Sequence, residues 1–566
     1  MPQEVLFLSD IPALQQRITE KIEDVTEDLS SVFKRTIGLW GVVVISLSSM
    51  LGSGLFVMPA FAAEIMGPGI WLAFLLAATV VLPGALSKSE LASAMPSSGG
   101  SYVYLERTYG PLFGTISGLG LWASFLLKAS FALIGFSAYM YVLTTYFHFD
   151  VNITYVSLSA LVLITGVNIL GLKKVKAIQT PILSLTLLLL GIVCVMALFD
   201  PSTDFSRPVS NAQKTGAFDQ SLASVAETAA FVFVAFAGVT KVAAIGGEVK
   251  EPGRNLPAGI MLSLLIATVL YCVMTFVMMA AMPEQWFMDH GKPIEDPVYR
   301  FVDEVAGSKI GVLAAALSVL TMISMALAGI LAASRFLFAM ARDNLLPQAL
   351  ESVNSKYETP HWPILLTGGV MLLAIIYLPV KDVAKLASGF KIMVFILINS
   401  CVIVLRRSPD AQSWYHPKYK SHLYPWIQVW GILAGILLIY LMGNKAFYGA
   451  GAAVGLGCAT YIGYGRKHTQ VRTTPFQSLR ENFSNPTKEQ HDFRHAAFRA
   501  ADFGTKNHLT LPEFINALQA MGVQYSNDEY RDIFHKADWN ENGVIDIDEF
   551  LTSVEHMDNY TALEEE

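Results

Sequence analysis

The chain has 566 residues, 53% hydrophobic and 15% charged, with a mean hydropathy of +0.47. A soluble domain carries about 25% charged residues, so an ordinary water-soluble globule is excluded. The formal net charge of −7 belongs largely to the polar ends, which excludes the basic balance of a nucleic-acid-binding protein.

In chain order, residues 10–33 predict an amphipathic helix. Ile11, Leu14, Ile18, Ile22, Val25 and Leu29 recur at steps of three and four, opposite Glu20, Glu23, Asp24, Glu27 and Asp28. That acidity argues against lying on an anionic leaflet and favours docking on another part of the protein. The first apolar stretch begins after Arg35, is longer than a signal core and lacks a cleavage site, so no cleavable signal peptide is expected.

Twelve apolar stretches follow, near 38–65, 68–94, 112–147, 153–171, 178–199, 221–245, 257–281, 310–340, 362–379, 383–405, 425–442 and 446–464. Each approaches the roughly 20 residues that a helix needs to cross a bilayer. Basic residues such as Lys34, Arg35, Lys173, Lys250, Arg254, Arg342, Arg406 and Lys418 gather in alternate loops. The positive-inside rule then puts both termini in the cytoplasm of a multi-pass protein of the cell membrane. Cys194, Cys272, Cys401 and Cys458 all fall in apolar runs and read as buried thiols, neither disulfides nor metal ligands.

Stretches one and six are interrupted. The first carries Gly52-Ser53-Gly54 at its middle and the sixth carries Gly238. Backbone groups freed inside a membrane are tolerated only where protein or a wet cavity satisfies them. Matching breaks in the two halves of a chain point to a midplane binding site in an inverted-repeat transporter; close helix packing is the alternative use of such glycines. Three lysines, Lys128, Lys241 and Lys391, also lie within apolar stretches. A lysine there costs at least about 2.5–3.5 kcal/mol and faces a cavity or a partner.

The polar C-terminal end predicts a pair of calcium loops. Residues 538–549, DWNENGVIDIDE, place Asp538, Asn540, Asn542, the Val544 carbonyl, Asp546 and Glu549 at the ligand positions, with Gly543 at the sharp turn. The paired loop 502–513 keeps Asp502 and Glu513 but has Gly504, Lys506 and Asn507 at key positions, and is expected to bind no calcium. Thr487 is expected to cap the preceding helix, whose apolar face holds Phe493, Ala497 and Phe498. The pair closely resembles EF-hand domains of the calcium-sensing kind. A calcium that merely holds the fold together is the alternative.

Four segments, GSGLFVMPA (52–60 region), SELASAMPSSGGSYVYLERTYGP, GEVKEPGRNLPAGI and SRFLFAMARDNLLP, resemble those of the amino acid–polyamine–organocation permeases in order and spacing. The resemblance covers about 36–466. It implies an all-α membrane protein of twelve transmembrane helices, ten of them in a five-plus-five inverted repeat, that transports amino acids or related amines. On that basis the chain divides into a cytosolic helix (1–36), a transporter domain (37–466), a linker (467–486), a cytosolic EF-hand domain (487–560) and an acidic tail (561–566).

The resemblance further implies a substrate carboxylate on the backbone N–H groups and hydroxyl of Gly52, Ser53 and Gly54, and an α-amino group on carbonyls near Met50, Val234 and Ala237. Phe236 would gate the ligand from above, with plain packing as its alternative role. Gly238 makes the break in stretch six, and Thr240 and Lys241 follow it. Lys241 would act as a fixed or titrating positive charge near the substrate or a coupling ion, H+ or Na+. Some permeases place a lysine in stretch five at the ion position; here that stretch has none. Thr321 and Ser324 are candidate sodium-site hydroxyls, with helix back-bonding as their other use. Glu248, Arg254, Arg335 and Arg342, at cytoplasmic span ends, are expected to hold the inner gate or the topology rather than touch substrate. No nucleophile or catalytic metal spacing surrounds the histidines, so an enzyme is not expected. The reading is a secondary amino acid transporter regulated by calcium, with the EF-hand pair docking to the transporter or to the N-terminal helix; its alternatives are a transport-dead amino acid receptor and a transporter whose calcium is purely structural.

Overall fold

The structure is a computed structural model and describes residues 35, 37–96, 100–171, 175–211, 221–239, 241–244, 246–282, 287–289, 292–354, 357, 359–408, 411, 415–469, 474–484, 497–498, 501–502, 508–521, 527–538, 543–547 and 549–554. The chain divides into two units, 1–407 with 411–475, and 408–410 with 476–566. The amphipathic segment 10–33, Thr487 and Phe493 lie outside the described residues.

The first unit is a bundle of helices. Stretch one is split into α1 (Leu39–Met50), α2 (Ser53–Phe56) and α3 (Met58–Met66). Then come α4 (Ile70–Ala94), the short α5 (Ser101–Tyr109), α6 (Pro111–Tyr146), α7 (Ile153–Ile169) and α8 (Val175–Phe199). Stretch six is α9 (Ser221–Val232) running into 3-10 turns at Phe233–Gly238 and Lys241–Ala244. It is followed by α10 (Pro252–Ala281), α11 (Pro297–Ala306), α12 (Ser308–Arg342), α13 (His361–Tyr377), α14 (Val380–Arg407), α15 (Trp426–Leu441) and α16 (Asn444–Thr460).

Seven helical runs among the described residues are long and apolar enough to cross a membrane: Met58–Ala94, Pro111–Tyr146, Gln179–Phe199, Ser224–Ala243, Pro252–Ala281, Ser308–Arg342 and Val380–Arg407. Leu39–Met50, Ile153–Ile169, His361–Tyr377 and Trp426–Leu441 are shorter apolar helices. Stretch one falls short as a continuous run because its break leaves pieces of 12, 4 and 9 residues.

Burial follows the solvent that these faces meet. On α8, Leu185, Leu188, Ile192, Val195 and Phe199 are exposed, as are Leu433, Ile436 and Leu437 on α15. Such a girdle of bare aliphatic side chains is a liability in water and the expected surface in hydrocarbon. The interior is built on α6 against α12, α4 against α10, and α14 against α6 and α15. Two of the four thiols, Cys194 and Cys401, are buried, whereas Cys272 and Cys458 are half-buried, and none is bonded to another. The last two sit on faces that mix core and exposed positions, which an apolar run alone does not distinguish.

Where the ends of α4 and α14 meet, Glu90 is fully buried and accepts two hydrogen bonds from Arg406, Nε at 2.8 Å and Nη2 at 2.7 Å. The Tyr415 hydroxyl (3.0 Å) and the Ser421 N–H (2.7 Å) complete its shell. A buried carboxylate is tolerable only when so fully satisfied.

The second unit holds all but the first residue of α17 (Pro475–Ser484), together with α18 (Leu511–Ala520) and α19 (Asn527–Ala537). Its small core packs Phe498, Leu509, Phe514, Leu518, Tyr530, Phe534, Ile545 and Phe550. Two short strands, His508–Leu509 and Ile545–Asp546, pair antiparallel with His508 opposite Asp546.

Candidate functional site

The two breaks meet. Between α1 and α2, Leu51 and Gly52 are extended, so the last carbonyls of α1 have no helical partner. Gly238 lies directly against that end. A Cβ added to Gly238 would sit 2.4 Å from the carbonyl carbon and oxygen of Ser49 and 2.7 Å from the nitrogen of Met50. Only glycine allows this approach of one backbone to the other.

The freed carbonyls are then claimed by two side chains from unbroken helices. Lys128 on α6 donates from Nζ to the Ser49 carbonyl at 2.9 Å and to the Ala235 carbonyl at 3.3 Å. Tyr271 on α10 donates to the Met50 carbonyl at 2.8 Å and to the Ala235 carbonyl at 3.3 Å. Ser388 on α14 accepts from the Val234 N–H (3.2 Å) and donates to the Phe231 carbonyl (2.9 Å). Ser46 reaches the Val239 carbonyl at 3.4 Å. The cluster is an oxygen-rich lining of backbone carbonyls within a buried apolar shell, which suits a cation carrying hydrogen-bond donors.

The expected carboxylate position, Gly52 to Gly54, is buried as well. Met325 on α12 packs over it: a Cβ on Gly52 would come within 2.1 Å of the Met325 sulfur, and the Ser53 hydroxyl lies 3.9 Å from that sulfur. Gly54 faces Ala235, whose Cβ an added methyl would approach to 2.7 Å. Phe236 is fully buried and meets Tyr271 edge to face, with centroids 5.1 Å apart at 82°. Lys241 is half-buried and donates to the Ala328 carbonyl at 3.0 Å. Thr240 lies outside the described residues.

The structure thus brings Met50, Gly52, Ser53, Gly54, Phe236 and Gly238 into one neighbourhood. The carbonyls used there are those of Ser49, Met50 and Ala235; Val234 takes part through its N–H. Tyr271, Ser388 and Met325 are additions that the sequence reading lacked. The signal for Tyr271 was present: a phenol in the middle of an apolar stretch needs a buried partner for its hydroxyl. Thr321 donates to the Leu317 carbonyl at 2.8 Å and neighbours Thr186 at 3.4 Å, so its hydroxyl is used in helix back-bonding. Lys391 on α14 is fully buried, with Nζ 4.8 Å from the Phe125 ring centroid and 5.5 Å from that of Phe395. Among the described residues that ammonium has no hydrogen-bond partner.

In the second unit the calcium loop is partly described. Asn540 and Asn542 fall outside the described residues. Gly543 adopts φ +82°, a conformation that side chains resist. Asp538 and Glu549 are buried, 7% and 1% exposed. Asp538 accepts from the Gly543 N–H at 2.8 Å, and Glu549 accepts from the Asp546 N–H at 2.9 Å while Asp546 accepts from the Glu549 N–H at 2.9 Å. Among the described residues no three His, Cys, Asp or Glu side chains converge as a metal cluster. Two buried carboxylates that accept from backbone N–H groups nevertheless fit the donor chemistry that calcium requires. In the companion loop Glu513 is held in the same way, accepting from the Thr510 N–H at 2.9 Å in a capping box.

Comparison with known proteins agrees with both units. The profile of the amino acid permease family matches residues 37–464, and that of an EF-hand domain pair matches 493–555. The chain is 28% identical over 455 residues to a branched-chain amino acid permease of Bacillus subtilis, covering 77% of this chain and 94% of that relative. It is 25% identical over 452 residues to a branched-chain amino acid permease of Lactococcus lactis, covering 75% and 93%. A methylthioribose transporter of Bacillus subtilis is 26% identical over 459 residues, covering 78% and 95%. These relatives are transporters. The chain is a membrane protein of the amino acid–polyamine–organocation family of amino acid permeases, and it carries an EF-hand domain pair near its C-terminal end.

Proposed function

We propose that the chain is a secondary amino acid transporter working by alternating access, with twelve spans in a five-plus-five inverted repeat and both termini in the cytosol. One observation carries the reading: the carbonyls of Ser49, Met50 and Ala235, from two separately broken stretches, gather at one buried point. The Lys128 ammonium already rests on two of them, which supports the chemical fitness of this point for an amine. Gly52, Ser53 and Gly54 supply the N–H groups and hydroxyl for the carboxylate, with Met50, Val234 and Ala237 beside the amino group. Phe236, Gly238, Thr240 and Lys241 border the substrate. The apolar surroundings, Phe236 and Met325 among them, favour a neutral aliphatic side chain, in keeping with the branched-chain permeases among the relatives.

The EF-hand pair binds calcium through Asp538, Asn540, Asn542, Asp546, Glu549 and the Val544 carbonyl. Calcium charges that loop with a divalent ion and opens its helix pair onto an apolar groove, as sensor EF-hands do. The groove docks a segment of the same chain and thereby biases one transporter state. A tenfold change in rate needs only about 1.4 kcal/mol of difference between the states.

The test is uptake of labelled leucine, isoleucine and valine into proteoliposomes, with Ser53→Leu as the site variant. We expect saturable uptake in the wild type and none in a folded Ser53→Leu protein. Wild-type affinity in that variant would remove the site assignment. Binding without uptake would instead support the receptor. Inward proton and sodium gradients, compared in the wild type and Lys241→Met, assign the coupling ion.

A further inference from the structure

Beside the start of α10 the first unit holds a cavity of about 1140 Å³ lined by Arg35, Arg254, Lys418, His416, Glu251 and Tyr419 among others. Small-molecule sites run to roughly 300–1,000 Å³, so this space is generous for a single amino acid. Its charged lining is three permanent cations, Arg35, Arg254 and Lys418, against one carboxylate, Glu251. Among the described residues none of these three cations forms an ion pair. Glu251 itself is left-handed, at φ +43°, an uncommon conformation that recurs at ligand clamps. Lys418 lies across Gly253: a Cβ there would meet the lysine Cδ at 2.6 Å.

The backbone at Ile37 is anchored close to this cavity. Ile37 forms a parallel bridge with Val249, its N–H on the Glu248 carbonyl (3.1 Å) and its carbonyl on the Lys250 N–H (2.8 Å). Arg35, two residues earlier, is already in the cavity wall. The residues just before it, Glu20-Lys21-Ile22-Glu23-Asp24-Val25-Thr26-Glu27-Asp28, carry five acids and one base.

We propose that this acidic N-terminal segment, residues 20–28, docks in the basic cavity beside α10, its carboxylates on Arg254 and Lys418. Even fully extended, the nine residues from Asp28 to the Ile37 anchor reach only about 30 Å. The segment is therefore held near the cavity at an effective concentration on the order of millimolar. A carboxylate facing a guanidinium forms the bidentate pair for which arginine is suited. The covalent tether favours this occupant over an anionic lipid headgroup, which shares its charge but must be recruited.

The experiment is limited chymotrypsin digestion of the full chain in an uncharged detergent, following cleavage after Leu14, Leu29 and Phe33. This readout is independent of transport, so it stands or falls apart from the proposed function. We expect Arg254→Glu with Lys418→Glu to speed cleavage at least fivefold. Adding Glu23→Lys, Asp24→Lys, Glu27→Lys and Asp28→Lys to that variant should restore protection, because the charges again oppose. In the wild type, 0.5 M NaCl should speed cleavage in the same way, a check that requires no variant to fold. Equal cleavage of the wild type with and without salt overturns the docking, as does failure of the exchanged charges to restore protection in a folded protein. If the cavity variant leaves cleavage unchanged but abolishes thermal stabilisation by phosphatidylglycerol, the cavity is a headgroup site and the proposal is wrong.

Discussion

At their candidate sites the two units bury charge in opposite ways. In the permease unit the buried cation of Lys128 rests on backbone carbonyls at the ends of broken helices. In the EF-hand unit the buried carboxylates of Asp538 and Glu549 rest on backbone N–H groups of a turn. A helix that stops leaves carbonyls unpaired at its C-terminal end, whereas a tight loop turns its amides inward. The sign of the charge accepted at each place therefore follows from which half of the peptide group is freed. The lesson extends to glycine. Gly238 is needed because another backbone passes beside it, whereas Gly543 has nothing within 4 Å of an added Cβ and is needed for its φ of +82°.

The largest effect should come from breaking the first of these contacts. Gly238→Ala puts a methyl 2.4 Å from the Ser49 carbonyl, where only backbone movement can relieve the clash. Overpacking costs about 1–3 kcal/mol, and here the strain falls on the paired breaks. We expect transport in proteoliposomes to fall at least a hundredfold. Gly543→Ala, strained by about 1–2 kcal/mol at its own backbone, should weaken calcium binding and leave transport without calcium unchanged. Equal effects of the two variants on transport would erase the distinction.

Lys128→Met comes next. The thioether fills much of the volume but leaves the Ser49 carbonyl without its donor, while Ala235 keeps Tyr271. An unsatisfied buried acceptor costs about 1–3 kcal/mol. We expect a drop in thermal unfolding temperature and a tenfold or greater loss of transport that Lys128→Arg does not fully rescue, since a guanidinium is larger and planar. A protein as stable and active as the wild type would show that the lysine is only spacing two helices.

Much of this was legible without coordinates. Glycines in the middle of apolar stretches one and six marked the breaks, because glycine is unfavourable there without a reason. The EF-hand pair was legible because the spacing of its loop is local, within twelve consecutive residues. What the sequence concealed was long-range. That Ala235 lends its carbonyl, and that Met325 covers Gly52, depends on how α12 and the 3-10 turn are rotated against α1. Lys128 was conspicuous as a charge in an apolar stretch, yet its partners lie 79 and 107 residues away. The division of stretch one into three helices likewise depends on where its neighbours take over the freed backbone groups.

In the EF-hand unit, Asp538→Ala with Glu549→Gln removes two buried carboxylates that we propose as calcium ligands. Isothermal titration should then show calcium affinity reduced by more than a hundredfold, since charge count sets affinity in such loops. The consequence for transport is smaller, because coupling between sites is typically about 1–3 kcal/mol. We expect loss of an approximately tenfold calcium response, with uptake fixed at a single level from nanomolar to millimolar calcium. If the variant no longer binds calcium yet wild-type uptake never responded to it, calcium serves the fold alone.

Tyr271→Phe should have the smallest effect and tests the comparison most finely. The ring, which meets Phe236 edge to face and lies 5.2 Å from Phe74, is retained; only the hydroxyl is lost. Of its two acceptors, the Ala235 carbonyl still has Lys128, so the net loss falls on the Met50 carbonyl alone. Neutral hydrogen bonds contribute about 0.5–1.5 kcal/mol, which predicts a two- to tenfold change in transport with an intact fold. Combined with Lys128→Met, however, the phenylalanine should cost more than the sum of the single changes. The pair together strips every side-chain donor from Ser49, Met50 and Ala235 seen in the structure. Residues that share a partner show such coupling, by about 0.5–3 kcal/mol in double-mutant cycles. Strict additivity would mean that the carbonyls of the two breaks act separately, and the site would then be two contacts rather than one.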